Sequence, residues 1–161
     1  MSRYYSQRVS PLLNLYDKLT AICASHVAIS QASFGDLEQM MREENTYPMV
    51  YLETITEIQE NSRKNGEAYS IALNILDREV TDGNSRSRIL LHDKLKQIFT
   101  EIKAYLEQKQ VFGEPNVSPA AILLFNDFED DRLVRLRGEF TIEVDSLVTS
   151  VPDFTTLFLH D

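Results

Sequence analysis

Tyr69-Ser70-Ile71-Ala72-Leu73-Asn74-Ile75 is the stretch from which the rest of the chain can be read. Tyr69, Ile71, Leu73 and Ile75 alternate with Ser70, Ala72 and Asn74. Successive side chains of a strand point to opposite faces, so the segment predicts a β-strand with one apolar face and one small or polar face. Upstream, Tyr47-Pro48 favours extended backbone, and Met49 to Ile55 is rich in β-formers, with Val50 and Leu52 on one side and Met49 and Tyr51 on the other. Between these runs lies a polar stretch, residues 57–67, containing the turn signal Asn65-Gly66. The pair reads as a β-hairpin with a long connection.

Downstream, Asp82-Gly83-Asn84-Ser85 closes the strand and caps a helix. Leu91, Leu95, Ile98, Phe99, Ile102, Tyr105 and Leu106 recur at helical spacing up to about Gln108. The stripe is too short for a coiled coil, which predicts a helix laid across a sheet. Residues 111–119, with Gly113, Pro115 and Pro119, read as a loop. The apolar run 120–128 predicts a short buried strand, and Glu129-Asp130-Asp131 a turn. A last long strand follows, with Phe140, Ile142 and Val144 alternating with Glu139, Thr141, Glu143 and Asp145.

At the other end, Ser10-Pro11 is an N-cap followed by proline at the first helical position. Leu12, Leu15, Tyr16, Leu19, Ile22, Cys23 and His26 then trace one stripe of a helix over about Pro11 to Ser25. Gly35-Asp36 reads as a break and cap before a short helix at 37–42. The expected fold class is α+β: an N-terminal helix, a β-hairpin, a long helix and a second β-hairpin, forming an antiparallel sheet with helices packed on one face. A single domain is expected over residues 1–161, with an N-terminal extension (1–9) and an apolar C-terminal tail (153–161).

The chain has 161 residues, 43% of them hydrophobic and 25% charged, ordinary values for a globular domain. Its one cysteine, Cys23, cannot close an internal disulfide, and the residues after Met1 are polar rather than signal-like. No apolar run approaches the roughly 20 residues needed to span a bilayer, so folding in a cytoplasm is expected, without membrane partners. Sixteen basic against 25 acidic residues give a formal charge of −9. Phosphate binding depends on clustered Lys and Arg, so sequence-specific nucleic-acid binding is not expected.

No catalytic, metal or cofactor site is legible, and no enzyme activity is expected. The five glycines form no GxGxxG or GxxxxGK[ST] loop, and no GxSxG elbow is present. Cys23 and His26 share a helix face at a spacing of three, but zinc takes three or four ligands, and His92 and His160 belong to other segments. Asp127, Glu129, Asp130 and Asp131 lack the alternating spacing of an EF-hand loop.

Two features suit assembly. The 57–67 stretch, carrying Glu57, Glu60, Arg63, Lys64 and Glu67, is longer than a tight turn requires. The tail carries Phe154, Leu157, Phe158 and Leu159, apolar side chains that need cover from their own core or from a neighbour. Both are expected to be oligomer or partner interfaces.

The N-terminal helix ending at His26, Gly35-Asp36-Leu37, Tyr47-Pro48, Tyr69-Ser70-Ile71-Ala72-Leu73 running into Leu76-Asp77, the long helix, Gly138-Glu139-Phe140 and Val151-Pro152 form one pattern. It resembles the tail-terminator and head–tail connector (neck ring) proteins of tailed bacteriophages, of the type found in phages of Bacteroidetes hosts. The resemblance implies a structural virion protein that forms a ring with copies of itself, six- or twelve-fold, against portal, neck or tail-tube proteins. It would reside in the host cytoplasm before assembly and in the virion afterwards. An acidic surface suits such a ring, because a lumen that repels phosphates lets DNA pass. The competing reading is a cytoplasmic adaptor or chaperone-like module that uses the same surfaces to hold one protein.

Overall fold

The computed structural model describes residues 11–36, 44–60, 67–79, 84–108, 116–127 and 132–144. Within them the protein is α+β, with two helices and a seven-stranded, mostly antiparallel sheet. The first helix, α1 (Pro11–Ser25), buries Leu15, Tyr16, Leu19 and Cys23, the inner part of the stripe seen in the sequence. It ends where the Ser25 hydroxyl donates to the Ile22 carbonyl (2.6 Å) and the His26 amide to that of Cys23 (3.2 Å).

The strand that follows, β1 (Gln31–Gly35), has no counterpart in the sequence reading. It pairs in parallel with β2 (Met49–Glu53), from Gln31↔Met49 to Gly35↔Glu53. Ala32 packs against the core, and Phe34, still 38% exposed, stacks on Tyr16 of α1 with ring centres 4.9 Å apart. Two inward residues in an otherwise polar pentapeptide leave too little alternation to read. The short helix expected at 37–42 lies outside the described residues.

β2 pairs antiparallel with β4 (Glu67–Arg78), Met49 opposite Leu76 and Leu52 opposite Leu73, as the hairpin reading requires. The connection is not simply a loop, however. Residues Ile58–Glu60 form β3, which pairs with the start of β4, Ile58 opposite Tyr69 and Glu60 opposite Glu67. The Ser70 amide donates to the Glu57 carbonyl (3.1 Å) and closes this ribbon. An exposed Ile-Gln-Glu tripeptide becomes a strand because β4 runs past the end of β2 and offers free backbone groups there.

The long helix α2 (Ser85–Leu106) starts at Asn84, whose side-chain oxygen accepts the Ser87 amide at 2.9 Å, a standard N-cap contact. It buries Leu95, Ile98, Phe99, Ile102 and Leu106, while Tyr105, counted in the apolar stripe, lies on the solvent side. Beyond it, β5 (Asn116–Val117) falls inside the expected loop, and β6 (Ala121–Asp127) and β7 (Leu133–Val144) make the second hairpin.

The sheet order is β1-β2-β4-β7-β5, with β3 also on β4 and β6 also on β7. β4 and β7 form its spine, in register from Glu67↔Val144 to Arg78↔Leu133. Strand alternation sends Tyr69, Ile71, Leu73 and Ile75 of β4, and Val134, Leu136, Phe140 and Ile142 of β7, into one core with both helices. Gly138 lies on this side opposite Leu73, and a Cβ there would stand 2.2 Å from the Phe99 ring. The missing side chain is what lets α2 settle onto β7. The expectation that β6 is buried is corrected: β6 pairs only with β7 among the described residues, and Leu123 and Leu124 are both about half exposed. An apolar run in an edge strand has a neighbour on one side only.

Candidate interaction surface

The face of the sheet opposite the helices carries a cluster of polar groups at the centre of the fold. Arg137 of β7 reaches across β4 to Glu53 of β2, its Nε 2.6 Å from Oε2 and its Nη2 3.2 Å from Oε1. Asn74, fully buried between them on β4, donates to the same Oε2 at 2.8 Å and accepts from Arg135 at 3.4 Å. Glu139 adds a second carboxylate to Arg137 at 3.2 Å. Burial works to raise the Glu53 pKa, but the hydrogen bonds from Arg137 and Asn74, with the charges of Arg137 and Arg135, outweigh it and hold the carboxyl below its ordinary value. Arg135 also stacks its guanidinium over Phe125 of β6, 4.3 Å from the ring centre. Beside this cluster, Met49, Tyr51, Leu76 and Leu133 form a small second core, against which Tyr47 packs.

The order Val134-Arg135-Leu136-Arg137 alternates with period two, so the strand itself is visible in the sequence. The cluster is not, because Glu53 and Arg137 are separated by 84 residues and meet only once β2, β4 and β7 are in register.

Of the residues singled out for assembly, Glu57, Glu60 and Glu67 are described. All three belong to the β3–β4 ribbon: Gln59 donates to Glu57 at 2.9 Å, and the Tyr69 hydroxyl donates to Glu67. Glu60 and Glu67 stand directly opposite each other, a like-charge pair that costs stability across strands. Ile58, beside them, is exposed. Arg63, Lys64, Phe154, Leu157, Phe158 and Leu159 lie outside the described residues.

The remaining chemical candidates are separated. Cys23 is buried, and burial pushes its thiol up to about 12, which keeps it protonated. His26 turns instead to Glu101 of α2, 2.6 Å away. His92 meets Asn126 of β6 at 3.1 Å, and its nine-residue spacing from Glu101 puts it roughly 13 Å along the same helix. No group of three or more His, Cys, Asp or Glu suited to a metal occurs among the described residues, and no described helix is long and apolar enough to cross a membrane. No protein-family model and no curated protein matches this chain.

Proposed function

We propose that this protein is a structural virion component that assembles with copies of itself into a ring in the neck or tail of a tailed bacteriophage, as a tail terminator or head–tail connector. The observation that carries the reading is the edge strand β6. It presents Ala121-Ile122-Leu123-Leu124-Phe125 with no lysine and no proline to blunt the edge, and exposes Leu123 and Leu124 on opposite faces. Such an edge favours cover by another protein. β1 stands at the opposite end of the sheet, so a contact from the β6 side of one copy to the β1 side of the next is head-to-tail. Contacts of that kind close into rings when the rotation between copies allows it. The net charge of −9 suits a lumen that does not hold DNA. Portal, neck or tail-tube proteins as neighbours, and residence in the virion, follow from this reading.

The test is negative-stain microscopy and light scattering on the full chain. Rings of one uniform stoichiometry, six- or twelve-fold, are expected, and Leu123→Asp combined with Leu124→Asp should abolish them while far-UV circular dichroism stays unchanged. A chain that stays monomeric at high concentration and binds one unrelated protein through the same edge would instead favour the adaptor reading.

A further inference from the structure

The turn between α1 and β1 is held by one imidazole that makes two different hydrogen bonds. The Ala28 backbone amide donates to His26 Nδ1 at 3.1 Å, so Nδ1 carries a lone pair and the ring proton sits on Nε2. Nε2 in turn donates to Glu101 Oε2 of α2 at 2.6 Å, and the Gln97 amide holds the other oxygen of that carboxylate at 3.0 Å. The His26 carbonyl accepts the Ile29 amide at 3.0 Å, and the Ser30 amide donates to the Pro48 carbonyl at 2.8 Å, where the chain enters β1. The ring is 15% exposed, enough for a solvent proton to reach it but not enough for water to replace both partners freely.

We infer that His26 makes the α1–β1 turn a proton-sensitive joint, closed with the neutral imidazole and opened locally by its protonation. A proton taken from solvent onto Nδ1 turns an acceptor into a donor that faces another donor, the Ala28 amide, and that hydrogen bond is lost. The contact from Nε2 to Glu101 survives and becomes an ion pair, so α1 stays fastened to α2 while residues 27–30 loosen.

The charged and titratable groups around the ring agree with this division. On α2, Glu101 is an anion whose pKa is lowered first by the hydrogen bond from His26 and then by Gln97, and Lys103, two residues on, is directed at Glu107 at 2.7 Å. On α1, Cys23 one turn earlier is a neutral thiol. The C-terminal end of α1 also favours a positive charge. Glu101 and the carboxyl end of α1 are the groups that keep the Nε2 contact once the ring is charged, and the Ala28 amide is the contact that is lost. The joint therefore loses one hydrogen bond and keeps the other, instead of undocking the helix.

Nitrogen-15 spectra of the His26 ring, together with amide exchange at Ala28 normalised to its intrinsic rate, test the inference on the full chain. The neutral ring should show the Nε2–H tautomer, and Ala28 protection should fall about tenfold in step with ring protonation, the loss expected for one backbone hydrogen bond. His26→Asn keeps an acceptor within reach of Ala28 and should hold that protection constant over the same pH range. His26→Gln keeps a donor toward Glu101 and should leave Ala28 unprotected throughout. An Nδ1–H tautomer, or Ala28 protection indifferent to ring protonation in the unaltered chain, would overturn the proposal, and neither readout depends on the variants folding.

Discussion

The two faces of one sheet are built on different principles. On the helix side, β4 and β7 contribute alternate apolar residues to a core shared with α1 and α2, and the stabilisation is mainly area removed from water. On the opposite side the same strands, joined by β2, hold Glu53, Asn74, Arg135 and Arg137 in a connected set of hydrogen bonds, flanked by a much smaller apolar patch. Apolar burial tolerates approximate geometry, whereas a polar cluster is worth having only if every member is satisfied. The first face therefore supplies most of the folding energy. The second ties β2, β4 and β7 to one register.

Four changes would break or sharpen that contrast. The largest effect is expected on the helix side. Ile71→Asp or Leu95→Asp places an unpaired charge in the core and should cost more than about 4 kcal/mol, enough to remove the cooperative melt. A variant with unaltered circular dichroism and melting would mean that these side chains do not share the core.

Gly138→Ala should come next, at about 2–3 kcal/mol in chemical denaturation, because the new methyl group meets the buried Phe99 ring. In a Phe99→Leu background the same change should cost clearly less. Equal costs in both backgrounds would show that the contact between α2 and β7 is not the constraint.

On the polar side, Arg137→Met leaves the Glu53 carboxylate with Asn74 as its remaining donor and should cost about 1–3 kcal/mol. Adding Glu53→Leu should recover part of the loss, since it removes the stranded charge but leaves the buried Asn74 amide without its acceptor. If the double variant is as unstable as the single one, the cluster contributes more than mutual satisfaction.

The smallest effect is the pH dependence of that pair. The folded-state pKa of Glu53 is depressed, so its contribution is present above the ordinary glutamate value of about 4.3 and is lost as pH falls through the lower folded value. Melting temperature should therefore drop less steeply on acidification in Glu53→Gln than in the unaltered protein. Parallel acid profiles would place the acid-sensitive group elsewhere.

Legibility in the sequence followed the range of the interactions. α1, α2 and the β4 strand were readable because each carries its own period, and Asn84 marks the start of α2 with a cap. β1 and β3 were not, since Gln31–Gly35 and Ile58–Glu60 become strands only through neighbours that offer them backbone partners. β6 was read as apolar but assigned to the interior, because composition does not reveal whether a strand has one neighbour or two. For the candidate surface, the acidic residues of the ribbon were visible as a charged stretch, but their strand pairing was not.

By itself the sequence determined the α+β class, the two long helices, the strands around residues 69–75 and 140–144, a formal charge of −9 and a single cysteine. Those properties depend on local periodicity, turn chemistry and composition, all of which act within a few residues. Only the tertiary structure decided that Glu53 and Arg137 meet across Asn74, that Gly138 admits Phe99, and that His26 links Ala28 to Glu101. Apart from the step from His26 to Ala28, each of these contacts joins residues distant in the chain. Such pairs are set by sheet register and helix docking, which minimise the free energy of the whole molecule and leave no trace in any single segment.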